Sequence, residues 1–133
     1  MSDYVTDTHR LVWHLTSDTR LGKEARLLFA ACERNELLIF VPTISLVEVV
    51  YLQEKRKIPD DISAQFNRAM NSKTSGLRLY PLTREVVTAL TQIPRVSVPD
   101  MPDRIIAATA LHLAVPLISR DRRIQLSEVE TVW

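Results

Sequence analysis

Four carboxylates carry the chemistry this sequence offers. Asp7 ends the β-prone run Tyr4-Val5-Thr6, Glu48 lies within an otherwise apolar helix, Asp103 opens a second such helix, and Asp121 follows the apolar run Val115-Pro116-Leu117-Ile118. Glu48 shares its helical face with Ile44, Tyr51 and Leu52, at spacings of four, three and four residues. A carboxylate on such a face needs a cation, either an ion pair to Arg104 or a metal ion. Asp103 has two readings. In Asp100-Met101-Pro102-Asp103 the first acid can cap the helix, Pro102 suits its first turn, and Asp103 stands where a carboxylate answers the cap. The stretch from Ile105 to Leu113 has only Thr109 and His112 as polar residues, so the helix start faces an interior cleft, where a carboxylate needs a partner.

Gathered in one crevice, these acids would repel, by roughly 3 kcal/mol for two unit charges about 5 Å apart at an effective dielectric near 20. A positive centre must hold them. Oxygen ligands with few histidines favour Mg²⁺, or Mn²⁺, over Zn²⁺. The reaction that follows is metal-assisted phosphodiester hydrolysis. Arg104, Arg120, Arg122 and Arg123 are candidate phosphate contacts at the rim, with Lys55-Arg56-Lys57 as a second basic cluster.

The elements that must position these residues alternate between strand and helix. Strands are expected at Tyr4–Thr6, Leu37–Val41, Leu77–Leu82, Val115–Ile118 and Thr131–Trp133. Helices are expected at His9–Leu15, Lys23–Asn35, Ile44–Lys57 with Thr43 as its cap, Ile62–Ser72, Thr83–Ile93 and Met101–Leu113, and a short turn or helix at Arg122–Leu126. Alternation of this kind implies α/β architecture, a parallel sheet between helical layers with right-handed crossovers. Ligands of such sheets sit beyond the carboxyl ends of strands, where strand order reverses. The first and fourth strands are the two that end in acids. As neighbours they would deliver Asp7 and Asp121 to one crevice, on which the helices bearing Glu48 and Asp103 can converge.

The chain's 133 residues suit one domain with a real core. No apolar run approaches the length of a membrane span and no secretory leader pattern is present, so no membrane association and a cytoplasmic location are expected. The net charge of +1 neither demands nor excludes a nucleic-acid partner. The single Cys32 reads as packing, His9, His14 and His112 as structural, and Tyr4, Trp13 and Trp133 as core or dimer contacts.

Val5-Thr6-Asp7-Thr8, Pro42-Thr43-Ile44-Ser45-Leu46-Val47-Glu48, Asp100-Met101-Pro102-Asp103-Arg104-Ile105-Ile106-Ala107-Ala108-Thr109-Ala110 and Leu117-Ile118-Ser119-Arg120-Asp121 together resemble the PIN-domain family, most of all its VapC-type toxins. The resemblance spans essentially the whole chain, residues 1–133, as a single PIN-like nuclease domain. It implies a three-layer α/β/α fold with a five-stranded parallel sheet of order 3-2-1-4-5. By position it implies an acidic quartet of Asp7, Glu48, Asp103 and Asp121 that binds metal and performs catalysis, supported by the hydroxyl of Thr8 or Ser119. Asp7 and Asp103 are then the preferred metal pair, and Asp100 is the weaker candidate, read as a cap. A Mg²⁺-dependent ribonuclease acting on tRNA or ribosomal RNA is implied, as are a homodimer and a small antitoxin that covers the site.

Three other readings can be weighed. A phosphoacceptor signalling domain needs an aspartate after the third strand, and Leu79-Tyr80-Pro81-Leu82 supplies none. An aspartate-nucleophile phosphatase wants a second acid two residues after Asp7, where His9 stands. The stronger alternative is a non-catalytic RNA-binding or regulatory module of the same fold.

Overall fold

The computed structural model describes residues 2–121, 124 and 129–133. In chain order the elements are β1 (Asp3–Thr6), α1 (Thr8–Leu15), α2 (Lys23–Glu33), β2 (Leu38–Pro42), α3 (Ile44–Glu54), α4 (Ile62–Asn71), β3 (Leu77–Tyr80), α5 (Arg84–Leu90), α6 (Met101–Leu113), β4 (Leu117–Ile118) and β5 (Thr131–Val132). All strand pairs are parallel, in the order β3-β2-β1-β4-β5. The expected three-layer α/β/α architecture is therefore the one observed. The expected turn or helix at Arg122–Leu126 lies outside the described residues apart from Ile124, which is buried.

Alternation along the strands divides the core between the two sheet faces. Ile39 and Val41 of β2 and Ile118 of β4 pack with Leu11, Phe29 and Phe66 from α1, α2 and α4. Val5 and Leu117 face the other way, toward Val86 of α5 and Ile106, Ala107 and Ala110 of α6. Three buried alanines, Ala107, Ala108 and Ala110, let α6 lie close to the sheet. Thr109 is accommodated among them because its hydroxyl donates to the Ile105 carbonyl, 2.8 Å away within the helix. Cys32 is buried as expected, and burial pushes its thiol above the ordinary range.

Several boundaries differ from the sequence expectation, each for a local reason. Helix α2 stops at Glu33 and Asn35 takes the left-handed conformation, with φ of 59°. Arg56 does the same after α3, with φ of 55°, so the basic cluster forms a turn and not a last helical turn. Thr43 does not cap α3. Its backbone is already helical, and its hydroxyl accepts from the Leu82 N–H, 3.2 Å away, which ties the end of β2 to the loop after β3. Thr83 does cap α5, accepting from the Val86 N–H, although α5 ends at Leu90 and not at Ile93.

Gly76 fixes the approach of β3 to β2. A Cβ there would stand 1.9 Å from the Leu37 carbonyl oxygen, while its N–H donates to Cys32 O and its own carbonyl accepts from Ile39 N–H. No side chain fits without parting the two strands. Gly76→Ala is expected to cost at least about 2 kcal/mol, lowering the urea midpoint by roughly 1–2 M. An unchanged midpoint would contradict this packing.

Candidate active site

The carboxyl ends of β1 and β4 lie side by side, since Val5 pairs with Leu117 and Thr6 with Ile118. The Asp7 N–H donates to Ile118 O, 3.2 Å away, and so places Asp7 at the start of the crevice between the strands. Its carboxylate is almost wholly buried and serves as the cap of α1. Oδ1 accepts from the Arg10 N–H at 2.9 Å, and Oδ2 accepts from Arg10 Nη1 at 3.0 Å. The guanidinium itself lies 4.5 Å over the Trp13 ring.

Thr8, the next residue, points into the protein. Its hydroxyl donates to Glu48 Oε1 and lies 2.9 Å from Ser45 Oγ. Ser45 and Glu48 are one helical turn apart on α3, so one hydroxyl couples the start of α1 to that face. Burial raises the pKa of Glu48, and the charges of Asp7 and Asp100 add to the rise, while the Thr8 hydrogen bond and His9 oppose it. Glu48 makes no ion pair with Arg104 among the described residues. Arg104 Nε instead donates to Ile93 O, 2.8 Å away, and fastens α6 to the start of the preceding loop.

Asp103 is the most perturbed acid. Burial pushes its pKa up to about 6, and the charges of Glu48, Asp121, Asp7 and Asp100 push in the same direction. The four expected carboxylates therefore act on one another. Asp121 is placed by Ser119, a fully buried residue whose Oγ accepts from the Asp121 N–H at 3.1 Å. Beside Glu48 a groove of about 390 Å³ opens, lined by Ile44, Tyr51, Leu52 and Met101 and by Lys55 and Lys57.

Asp100 departs from expectation. It occupies the cap position of α6 with extended backbone, yet its side chain accepts no capping hydrogen bond. Exposed, it adds its charge to those acting on Glu48 and Asp103. The expected capping bond is not made, and Asp103 feels the charges of the acid cluster, Asp100 included.

A PIN-domain family model matches residues 4–130. The chain belongs to the PIN-domain family. Solved structures share the fold over nearly the whole of both chains. VapBC2 from Rickettsia felis bound to a DNA fragment from its promoter is similar at a TM-score of 0.72 and 13% identity, covering 98% of this chain and 97% of that one. FitAcB from Neisseria gonorrhoeae is similar at 0.66 and 16%, covering 98% and 96%. A toxin-antitoxin complex from Klebsiella pneumoniae is similar at 0.64 and 19%, with the same coverage. At these identities the likeness is one of fold. No curated protein matches the chain.

This PIN domain thus brings Asp7, Glu48, Asp103 and Asp121 to one end of the sheet, with Thr8 and Ser119 beneath two of them. Arg120 is exposed next to Asp121, and Arg122 and Arg123 lie outside the described residues. Two residues of the cluster were not singled out from sequence, Ser45 and Arg10. Ser45 lies three positions before Glu48, a helical spacing that signals its shared face. Arg10 stands three positions after Asp7, the spacing of an ion pair within the first helical turn.

Among the described residues, no three Asp, Glu, His or Cys side chains stand close enough to form a ready-made metal cage. The donor set nevertheless fits a hard divalent cation. Its members are carboxylates, and the one with the strongest electrostatic penalty, Asp103, has no cationic side chain among the causes acting on it.

The Asp103 shift has a consequence for stability. Its folded pKa of about 6 exceeds the ordinary value of 3.8, so the native state binds the extra proton and stability falls as pH rises from about 4 to about 6. Asp103→Asn is expected to stabilise the metal-free protein above that window by roughly 1–2 kcal/mol, allowing for partial solvation, or about 4–8 °C in Tm. The gain should vanish below about pH 4. Thermal melts in EDTA across this range check it, and a gain independent of pH would contradict the electrostatic origin.

Proposed function

We propose that this chain, across residues 1–133, is a single nuclease domain that hydrolyses RNA phosphodiester bonds with Mg²⁺, Mn²⁺ serving as a substitute. The observation that carries this reading is the convergence of Asp7, Glu48, Asp103 and Asp121 at the carboxyl end of a parallel sheet, with Asp103 raised to about 6 by burial and by the other acids. Membership of the PIN-domain family, whose members are generally nucleases, supports it.

Asp7 and Asp103 would hold the ion, with Glu48 and Asp121 beside it. When bound, a divalent ion neutralises charge on a phosphodiester and favours ionisation of a nearby water. The chain's own residues prepare that chemistry. Thr8 fixes one oxygen of Glu48 by hydrogen bonding, leaving the other for ion or water. Arg10 holds Asp7 in the α1 cap, so its orientation is set before any ligand arrives. Glu48, whose pKa is raised by burial, is placed to accept a proton from water. Ser119 positions the Asp121 backbone. Arg104, Arg120, Arg122 and Arg123 are the candidate phosphate contacts.

The solved structures of similar fold are toxin–antitoxin assemblies, which supports a toxin role and a small antitoxin as partner. The groove beside Glu48 is suited to such a partner, because Val47, Tyr51 and Met101 around it are 49%, 59% and 63% exposed. A homodimer is also proposed, consistent with exposed Leu79, Leu82 and Val87 at and after the β3 edge and on α5. No helix among the described residues is long and apolar enough to cross a membrane, and a cytoplasmic site of action is proposed. A second reading, an RNA-binding or regulatory module without turnover, draws on one observation: Arg10 already pairs with Asp7.

Cleavage of a total tRNA and ribosomal RNA mixture by the purified protein tests the proposal. Cutting is expected with Mg²⁺ or Mn²⁺, none with EDTA, and a loss of at least about 100-fold in Asp7→Ala or Asp103→Ala. RNA binding without cutting under every condition, equal in wild type and variants, would replace it with the second reading.

A further inference from the structure

At the same end of the sheet, Gly22, Trp133 and Arg120 pack together, an arrangement that a phosphate contact by Arg120 alone does not explain. The Ser119 N–H donates to Val132 O at 3.0 Å, which sets the residues that follow β4 and β5 side by side. The Arg120 guanidinium lies 4.7 Å over the Trp133 ring. Gly22 lies against the indole: a Cβ there would come within 2.7 Å of Trp133 Cε2 and Nε1 and 2.8 Å of its carbonyl carbon. Only a residue without a side chain leaves this seat open. Of the two expected settings for Trp133, core or dimer contact, its 42% exposure excludes the core.

Arg120 differs from the other arginines seen in cation–aromatic contact. Arg10 and Arg20 both lie over Trp13, but each is neutralised by an aspartate, Asp7 and Asp18 respectively. Arg120 has no carboxylate ion pair among the described residues and is exposed. One face of its plane rests on the indole, so its orientation is restrained while its charge is kept. A flat, exposed cation supported in this way suits a nucleobase on its outer face and a phosphate at its edge. Arg120 also immediately precedes Asp121, whose charge acts on Asp103. Whatever stacks there lies beside the acidic cluster.

We infer that Arg120, backed by Trp133 and seated on Gly22, is a stacking platform for an unpaired RNA base flanking the phosphate to be cut. The inference rests on the proposed nuclease reading and narrows its substrate to RNA with a single-stranded nucleotide at the cleavage site, because a base held in a duplex cannot present its face.

Binding of short labelled single-stranded RNA, followed by fluorescence anisotropy in an Asp103→Asn background that does not cut, tests this platform. Arg120→Lys keeps the charge and removes the plane. It should weaken binding by about tenfold without changing the salt dependence. Trp133→Leu should give a similar loss, and the double variant should lose little more than either alone, since the two act as a unit. Moving one abasic site along the RNA should identify a position at which the parent binds no better than Arg120→Lys. Parent affinity in Arg120→Lys, or a loss unaffected by every abasic position, would overturn the platform. If wild type still cuts RNA in that case, only the platform fails. If the chain neither binds nor cuts RNA, the nuclease reading fails with it.

Discussion

Like charges held together by a parallel sheet are the constraint on which the rest of this molecule depends. Asp103 is half-buried and faces negative charge from Glu48, Asp121, Asp7 and Asp100. These side chains come from four different parts of the chain, and separation would relieve their repulsion. The strand order forbids it. Pairing of β1 with β4 fixes Asp7 near Asp121, and packing of α3 and α6 over the sheet fixes the other two. The interior must therefore be cohesive enough to hold the carboxylates against their own electrostatics, which is consistent with apolar side chains on both sheet faces and with the closely packed alanine run of α6.

The cluster is compensated unevenly, and that unevenness gives the site its direction. Asp7 is satisfied by a backbone amide and by Arg10, and Glu48 accepts the Thr8 hydroxyl. Asp103 has only burial and like charge acting on it. A divalent cation has most to gain there, and Asp7 and Glu48 are already oriented to share it. Asp100 adds its charge to this cluster, and α6 begins without help from its side chain.

Much of this was legible in the sequence. Continuous apolar strands separated by amphipathic helices specified a parallel α/β fold, and acids at strand ends and on apolar helix faces identified the four residues that the structure brings together. Three features were not legible. The apolar face of Glu48 points to a cation as its partner, whereas a neutral hydroxyl from Thr8 meets it, since a half-buried carboxylate can be stabilised by a hydrogen bond. Thr43 and Asp100 have the chemistry of caps but not the role: the Thr43 hydroxyl is taken by the Leu82 N–H, and the Asp100 side chain accepts no capping bond. From its type alone Trp133 suits a core or dimer contact. Its exposure and its stacking with Arg120 follow from two parallel strands ending side by side and from Gly22 against the ring, long-range relations that no local pattern encodes.

Titration of the Asp103 carboxyl by carbon-detected NMR, without and with Mg²⁺, tests the central claim most directly. The account predicts a pKa of about 6 in the metal-free protein, displaced downward by Mg²⁺ as the cation takes the place of the proton. An ordinary carboxylate pKa that Mg²⁺ leaves unmoved would show that the acids neither burden one another nor await a cation.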